Sequence, residues 1–294
     1  MRITDSMLYT NANSSIGAAR TAVSTATEQT SSGMRVVQPG DDPAATASIL
    51  TDTAAGKYAD AIVKSTTAAQ SELAIADGAL GTVTSSLATA SQLAVQFAND
   101  SNNATDRANA APNVQALIQQ IIAALNTKSG DRYLFGGSQD QSSPFDAAGN
   151  YAGDSQVRTI EVAPGVQQAA SVRADVGIKG VGGGVDVIAT LNALQTALAN
   201  NDTTTIQNSI DALKAATNQV SLLRTQAGAN ENALAAAESV AQATSNSETK
   251  QVSNLQDADI VATATKLQMA QTALQAAISA STQSFKFTLL NPNG

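Results

Sequence analysis

The chain has 294 residues, 43% of them hydrophobic, enough for one large domain or roughly two to three small ones. With 16 Lys+Arg against 24 Asp+Glu its net charge is -8, so a nucleic acid is repelled overall, and no basic patch interleaved with aromatics offsets this. Histidine and cysteine are both absent, which excludes Ser/His/Asp triads, Cys/His pairs, imidazole or thiolate metal sites and disulfides, so no catalytic residue, metal or cofactor is expected.

Aromatics make up 3% and charged residues 14%, the latter well below the usual value of about 25%. The chain is instead heavy in Ala, Ser, Thr, Gln and Asn. Ala and Gln lose little side-chain entropy in a helix, so this composition favours long helices that approach closely over a thick aromatic core. The opening Met1-Arg2-Ile3-Thr4-Asp5-Ser6 has no apolar run of the kind a cleaved leader needs. No window approaches the ~20 apolar residues of a membrane span, so no membrane partner is expected.

Near the N-terminus Tyr9, Ile16, Val23 and Thr30 repeat every seven residues, with Asn13, Arg20 and Thr27 between them. That is a thin helical seam. From Ser31 to Pro43 the residues Gly33, Pro39, Gly40 and Pro43 break any helix, and the pair Asp41 and Asp42 before Pro43 reads as a cap for a helix starting near Ala44. The alternative, a catalytic or metal-binding carboxylate pair, lacks a partner base or ligand at helical or strand spacing.

A helix is expected from Ala44 to Ala98, with a regular stripe through Ile62, Thr66, Ala69, Leu73, Ala76, Leu80, Val83, Leu87, Ala90, Ala94 and Phe97. A polar break at Asn99 to Asn103 precedes a second helix marked by Val114, Leu117, Ile118, Ile121, Ile122 and Leu125. Residues 131–185 change character. Tyr133, Phe135, Phe145 and Tyr151 fall here among many glycines, Val157 to Val162 alternates polar and apolar, and Ala163-Pro164-Gly165 is a turn into an extended segment from Val166 to Val172. This predicts a small β-rich insertion, with the glycine cluster Gly177 to Gly184 as a flexible return linker.

Helical pattern resumes with Val187, Leu191, Leu194 and Leu198, and again from Ile206 through Val220, Leu234 and Ala237. Near the C-terminus Ile260, Ala264, Leu267, Gln271, Leu274, Ile278, Ser281 and Phe285 step by four and three along one stripe. The fold class expected is mainly α: a long helical bundle or coiled coil formed by the N- and C-terminal segments, with a small inserted β-rich domain. Three parts follow: a terminal coiled-coil assembly domain of residues 1–43 with 255–294, a helical rod of 44–130 with 186–254, and the insertion of 131–185.

A lone helix with so narrow a stripe is marginal in water. Both extremities are therefore expected to be mostly disordered in a free monomer and to order against other molecules. The surface expected to serve assembly comprises Tyr9, Ile16, Val23, Thr30, Ile260, Ala264, Leu267, Leu274, Ile278 and Phe285, with Gly33, Asp41, Asp42 and Pro43 as structural turn and cap.

Several stretches resemble a known family. Met1-Arg2-Ile3-Thr4 with Met7, Ser32-Gly33-Met34-Arg35-Val36, Pro39-Gly40-Asp41-Asp42-Pro43, Asp131-Arg132-Tyr133-Leu134-Phe135-Gly136-Gly137, Leu255-Gln256-Asp257-Ala258-Asp259-Ile260, Lys266-Leu267-Gln268 and Leu274-Gln275-Ala276 are similar to the flagellin-like axial proteins of bacterial flagella. Pro43 and the Arg132 to Gly137 block favour a member at the hook–filament junction over filament flagellin itself, the nearest alternative. A secreted adhesin or translocator tip is the alternative from another class. The resemblance implies a structural protein outside the cell, exported without a cleaved signal by the flagellar type III apparatus. It also implies a ring of identical subunits between another hook-associated protein and flagellin, and an export chaperone that covers Leu267, Leu274, Ile278 and Phe285 beforehand.

Overall fold

A computed structural model describes residues 5–99 and 101–290, with side chains from 6 to 283 apart from that of Leu8. Its elements in chain order are helices α1 (Asp5–Ser32), α2 (Pro43–Phe97) and α3 (Ala104–Leu125), strands β1 (Lys128–Ser129), β2 (Arg132–Tyr133), β3 (Thr159–Ala163) and β4 (Val166–Ala169), and helices α4 (Ala174–Gly177), α5 (Val187–Ala199), α6 (Thr203–Gln256) and α7 (Ile260–Leu290). The chain is mainly α with a small β portion. It divides into two compact units, residues 59–243 and residues 1–58 with 244–294, and α2 and α6 contribute to both.

The unit of residues 59–243 holds the core. Every position of the α2 stripe from Ile62 to Ala94 is buried and Phe97 is half-buried, because a four-three spacing keeps one face of a long helix inward over many turns. Against it lie Val114, Ile118, Ile121 and Leu125 of α3, Leu191, Leu194 and Leu198 of α5, and Ile206, Leu213, Val220 and Leu234 of α6. α3 starts ten residues before its first marked apolar position. Asn103 accepts the Asp106 N–H and the Asp106 carboxylate accepts that of Asn103, a reciprocal cap that starts a helix on polar sequence.

The segment expected to be β-rich is mostly turns. β1 pairs antiparallel with β2, and β3 with β4 across Pro164-Gly165, in two separate two-stranded ribbons. What anchors it is the buried pair Phe135 and Phe145. The glycine cluster is not a flexible linker. The Gln219 amide oxygen accepts the Val185 N–H and its nitrogen donates to the carbonyls of Val176, Gly177 and Val185. A Cβ on Gly184 would lie 2.1 Å from that oxygen, so glycine is required by close packing.

Candidate assembly surface

The unit of residues 1–58 and 244–294 is built from two turns laid against each other and the two helices that leave them. Gly33 ends α1 with φ +71, a left-handed conformation that a side chain disfavours and that lets the chain turn out of the helix. The turns then clasp. Met34 and Asp257 form an antiparallel bridge, the Arg35 N–H donates to the Gln256 carbonyl at 2.6 Å, and the Ala258 N–H donates to the Gly33 carbonyl at 2.8 Å. The Arg35 guanidinium reaches both ways, to the Leu255 carbonyl at 2.7 Å and to Asp42 at 3.0 Å.

The two adjacent aspartates do different work. Asp42 accepts the Ala45 N–H at 3.0 Å, which places it as the cap of α2 with Pro43 in the first turn. That hydrogen bond, and then Arg35, hold its carboxyl below the usual carboxylate value. Asp41 points back and accepts the N–H groups of Val37 and Gln38 at 3.0 and 2.8 Å, closing the preceding turn. Both are thus committed to backbone donors, and among the described residues no group of three or more acidic side chains is placed to hold a metal ion.

From the clasp, α1 and α7 run antiparallel and pack on each other. On α1 the shielded positions are Ile16, Val23 and Thr30 together with Ala12, Ala19 and Ala26. The sequence stripe puts Asn13, Arg20 and Thr27 in the alternate places; all three are exposed. α7 shows the same rotation. Thr263 is buried and Leu267, Ala270, Leu274, Ala277 and Ser281 are half-buried, whereas Ala264, Gln271 and Ile278 lie outside the seam. Expected and observed stripes share the heptad positions Ile16, Val23, Thr30, Leu267, Leu274 and Ser281 and both step by four and three, but the alternate places lie one residue away, on Ala12, Ala19, Ala26, Ala270 and Ala277, where small residues let the two backbones approach.

The sequence-expected residues therefore separate into two sets. Ile16, Val23, Thr30, Leu267 and Leu274 share the seam inside one chain. Tyr9 is 62% exposed, Ile260 54% and Ile278 43%, Ala264 is also exposed, and the side chain of Phe285 lies outside the described residues. Two exposed residues that the sequence reading passed over, Val261 and Met269, join this outward set. Val261 follows the marked Ile260 and Met269 lies midway between Leu267 and Gln271, and only the observed rotation shows which way they face. Each extremity is a helix that shields one side of the other. The remaining sides are uncovered. Between them runs an open furrow floored by small side chains, among them Ala18, Ala22, Thr25 and Ala270, with Met269 and Lys266 on its rim.

No helix among the described residues is long and apolar enough to cross a membrane. Residues 3–140 match the model of the bacterial flagellin N-terminal helical region. The chain is 28% identical over 278 residues to flagellar hook-associated protein 3 of Escherichia coli, covering 87% of this chain and 88% of that protein. It is 30% identical over 164 residues to flagellar hook-associated protein 3 of Salmonella typhimurium, covering 55% of this chain and 52% of the relative. Among solved structures, a candidate flagellar hook-associated protein from Vibrio parahaemolyticus superposes with a TM-score of 0.68 at 20% identity, over 74% of this chain and all of the other. At that identity the likeness speaks for the fold.

Proposed function

We propose that this chain, whose residues 3–140 match the bacterial flagellin N-terminal helical region and which is 28% identical to a flagellar hook-associated protein 3, is a flagellin-like structural protein of the flagellum, an adaptor at the hook–filament junction. The observation that carries this reading is the terminal helix pair, half covered within the chain and with Tyr9, Ile260, Val261, Met269 and Ile278 left exposed, in a protein 28% identical over 87% of its length to a flagellar hook-associated protein 3. An uncovered apolar helix face in water is a docking surface. A subunit of a tubular lattice needs such a surface on several sides.

In detail, identical copies form a ring with another hook-associated protein on one side and flagellin on the other. The outward set Tyr9, Ile260, Ala264 and Ile278, with Phe285, meets neighbouring molecules, and Ile16, Val23, Thr30, Leu267 and Leu274 hold the hairpin that presents it. Gly33, Asp41, Asp42 and Pro43 set the turn from which the hairpin leaves. Before assembly an export chaperone covers Leu267, Leu274, Ile278 and Phe285, and the chain leaves the cell through the flagellar type III apparatus. In this arrangement residues 1–43 with 255–294 act as the assembly domain, 44–130 with 186–254 as a rod, and 131–185 as an inserted outer piece. A reading as an enzyme has no support in the residues, since Asp41 and Asp42 spend their oxygens on backbone donors.

A strain lacking this protein should bear hooks without filaments and release flagellin into the medium. Normal filaments on that strain would overturn the proposal.

A further inference from the structure

Glu72, on α2, is only 13% exposed and receives two arginines from different parts of the inserted segment. Arg132 of β2 donates to one carboxylate oxygen at 2.5 Å, and Arg158, one residue before β3, donates to the other. Arg158 also donates to the Ala170 carbonyl at 3.1 Å, just past the end of β4, so its guanidinium ties together both legs of the β3–β4 hairpin and α2. Its own main chain closes the same base: the Arg158 N–H donates to the Ser171 hydroxyl at 2.9 Å and the Ala170 N–H to the Arg158 carbonyl at 2.7 Å. Asp140 lies 3.9 Å from the Arg132 guanidinium, too far for a hydrogen bond but close enough to share its charge.

Two features make this cluster more than a surface ion pair. First, from Thr159 to Ala169 no side chain of the hairpin is fully buried, and a two-stranded ribbon has little stability of its own. Buried anchors begin at Ala170 and Val172. The hairpin's apolar hold on the core is limited to the partly buried Ile160 and Val162, less than that of the helices under it. Second, both guanidiniums are hydrogen-bonded to the one Glu72 carboxylate, with Asp140 only at the edge of the cluster. Burial lowers the pKa of Arg158 from its ordinary value, Glu72 raises it, the neighbouring Arg132 charge lowers it again, and Asp140 raises it. With the carboxylate in place the two cations bridge through it. Without it, two like charges face each other in a partly desolvated corner.

We infer that Glu72 is the catch of an ionic latch that holds the β3–β4 hairpin down on α2, and that loss of its charge alone converts the two arginines from a clamp into a spring that frees the hairpin without unfolding the helices. The inference is independent of the proposed place in the flagellum, since it concerns one unit of one chain. It has a signature that ordinary loss of a contact does not share, namely that removing a second charge should partly undo the effect of removing the first.

The test is amide hydrogen exchange on the full chain for Glu72→Gln, Arg132→Gln and the double variant. Glutamine keeps the shape of the glutamate, so packing is disturbed least. Exchange at the paired residues Thr159 to Ala163 and Val166 to Ala169 should rise about tenfold or more in Glu72→Gln while α3 and α5 stay within about twofold of the parent. Arg132→Gln leaves the Glu72–Arg158 pair intact and should raise hairpin exchange by less. The double variant should fall back toward Arg132→Gln. The inference is overturned if hairpin exchange in Glu72→Gln is unchanged, if the helices open by the same factor, or if the double variant is as loose as Glu72→Gln.

Discussion

The two units use similar helices for opposite ends. In residues 59–243, Leu73, Leu80, Leu87, Leu191, Leu194 and Leu213 are each about fully enclosed. In residues 1–58 with 244–294, Val36 is the one apolar side chain larger than alanine that is buried among the described residues, and the helix seam is made of alanines and half-covered leucines. The difference lies in side-chain size at the contact rather than in helix content. A core of large side chains gains stability from its own chain, while a seam of small ones holds a shape loosely and leaves the larger apolar groups available outside. On the proposed reading, one unit is finished as folded and the other completes its cover against neighbouring molecules.

The largest effect should come from the core. Leu87→Ala or Leu191→Ala removes a fully enclosed side chain and should cost about 2–5 kcal/mol in urea denaturation of the isolated chain. Leu274→Ala, half-buried in the terminal seam, should cost well under half of that. Equal losses at the two places would erase the contrast between the units.

Hydrogen exchange sharpens the same contrast without mutation. Amides of α1 and α7 should exchange at least about 100-fold faster than those of α5 in dilute solution, because few large contacts oppose opening of the terminal pair. Protection of residues 260–283 as strong as that of α5 would show that the hairpin is a second core.

Exposed positions should separate folding from assembly. Ile278→Asp and Met269→Asp put a charge on an uncovered face, so the melting of the isolated chain should move by no more than about 0.5 kcal/mol. The same variants should fail to support filaments. Unimpaired filament formation would remove this face from the assembly surface.

The smallest effect is a pH dependence at the α1–α2 turn. The Ala45 N–H and then Arg35 hold the Asp42 carboxyl below the ordinary carboxylate value in the folded chain, so its stabilisation is complete above that ordinary value and is lost as pH falls through the lower folded one. Thermal melts of the parent should therefore lose a small increment on acidification that Asp42→Asn lacks, since the amide cannot titrate. Identical acid slopes in the two proteins would mean that the cap contributes nothing through its charge.

Much of this was written in the sequence. The α2 stripe from Ile62 to Phe97, the helices that follow Asn103 and Asp186, and the turn of Pro164-Gly165 follow from local rules, because periodicity, capping and turn chemistry act over a few residues. The exclusion of histidine and cysteine chemistry needed only the composition. Tertiary structure alone decided three things. Glu72 and its two arginines are 60 and 86 residues apart, too distant for any local pattern to join them. The glycines at 177–184 became a tight turn because Gln219 of another helix closes over them. The alternate places of the terminal seam lie one residue from the expected ones, leaving Ile278 exposed and Ala277 half-covered, because a heptad repeat fixes the shared positions Leu267 and Leu274 but not the side of them on which the neighbouring helix lies, and two helices in contact choose the face on which their backbones can come closest.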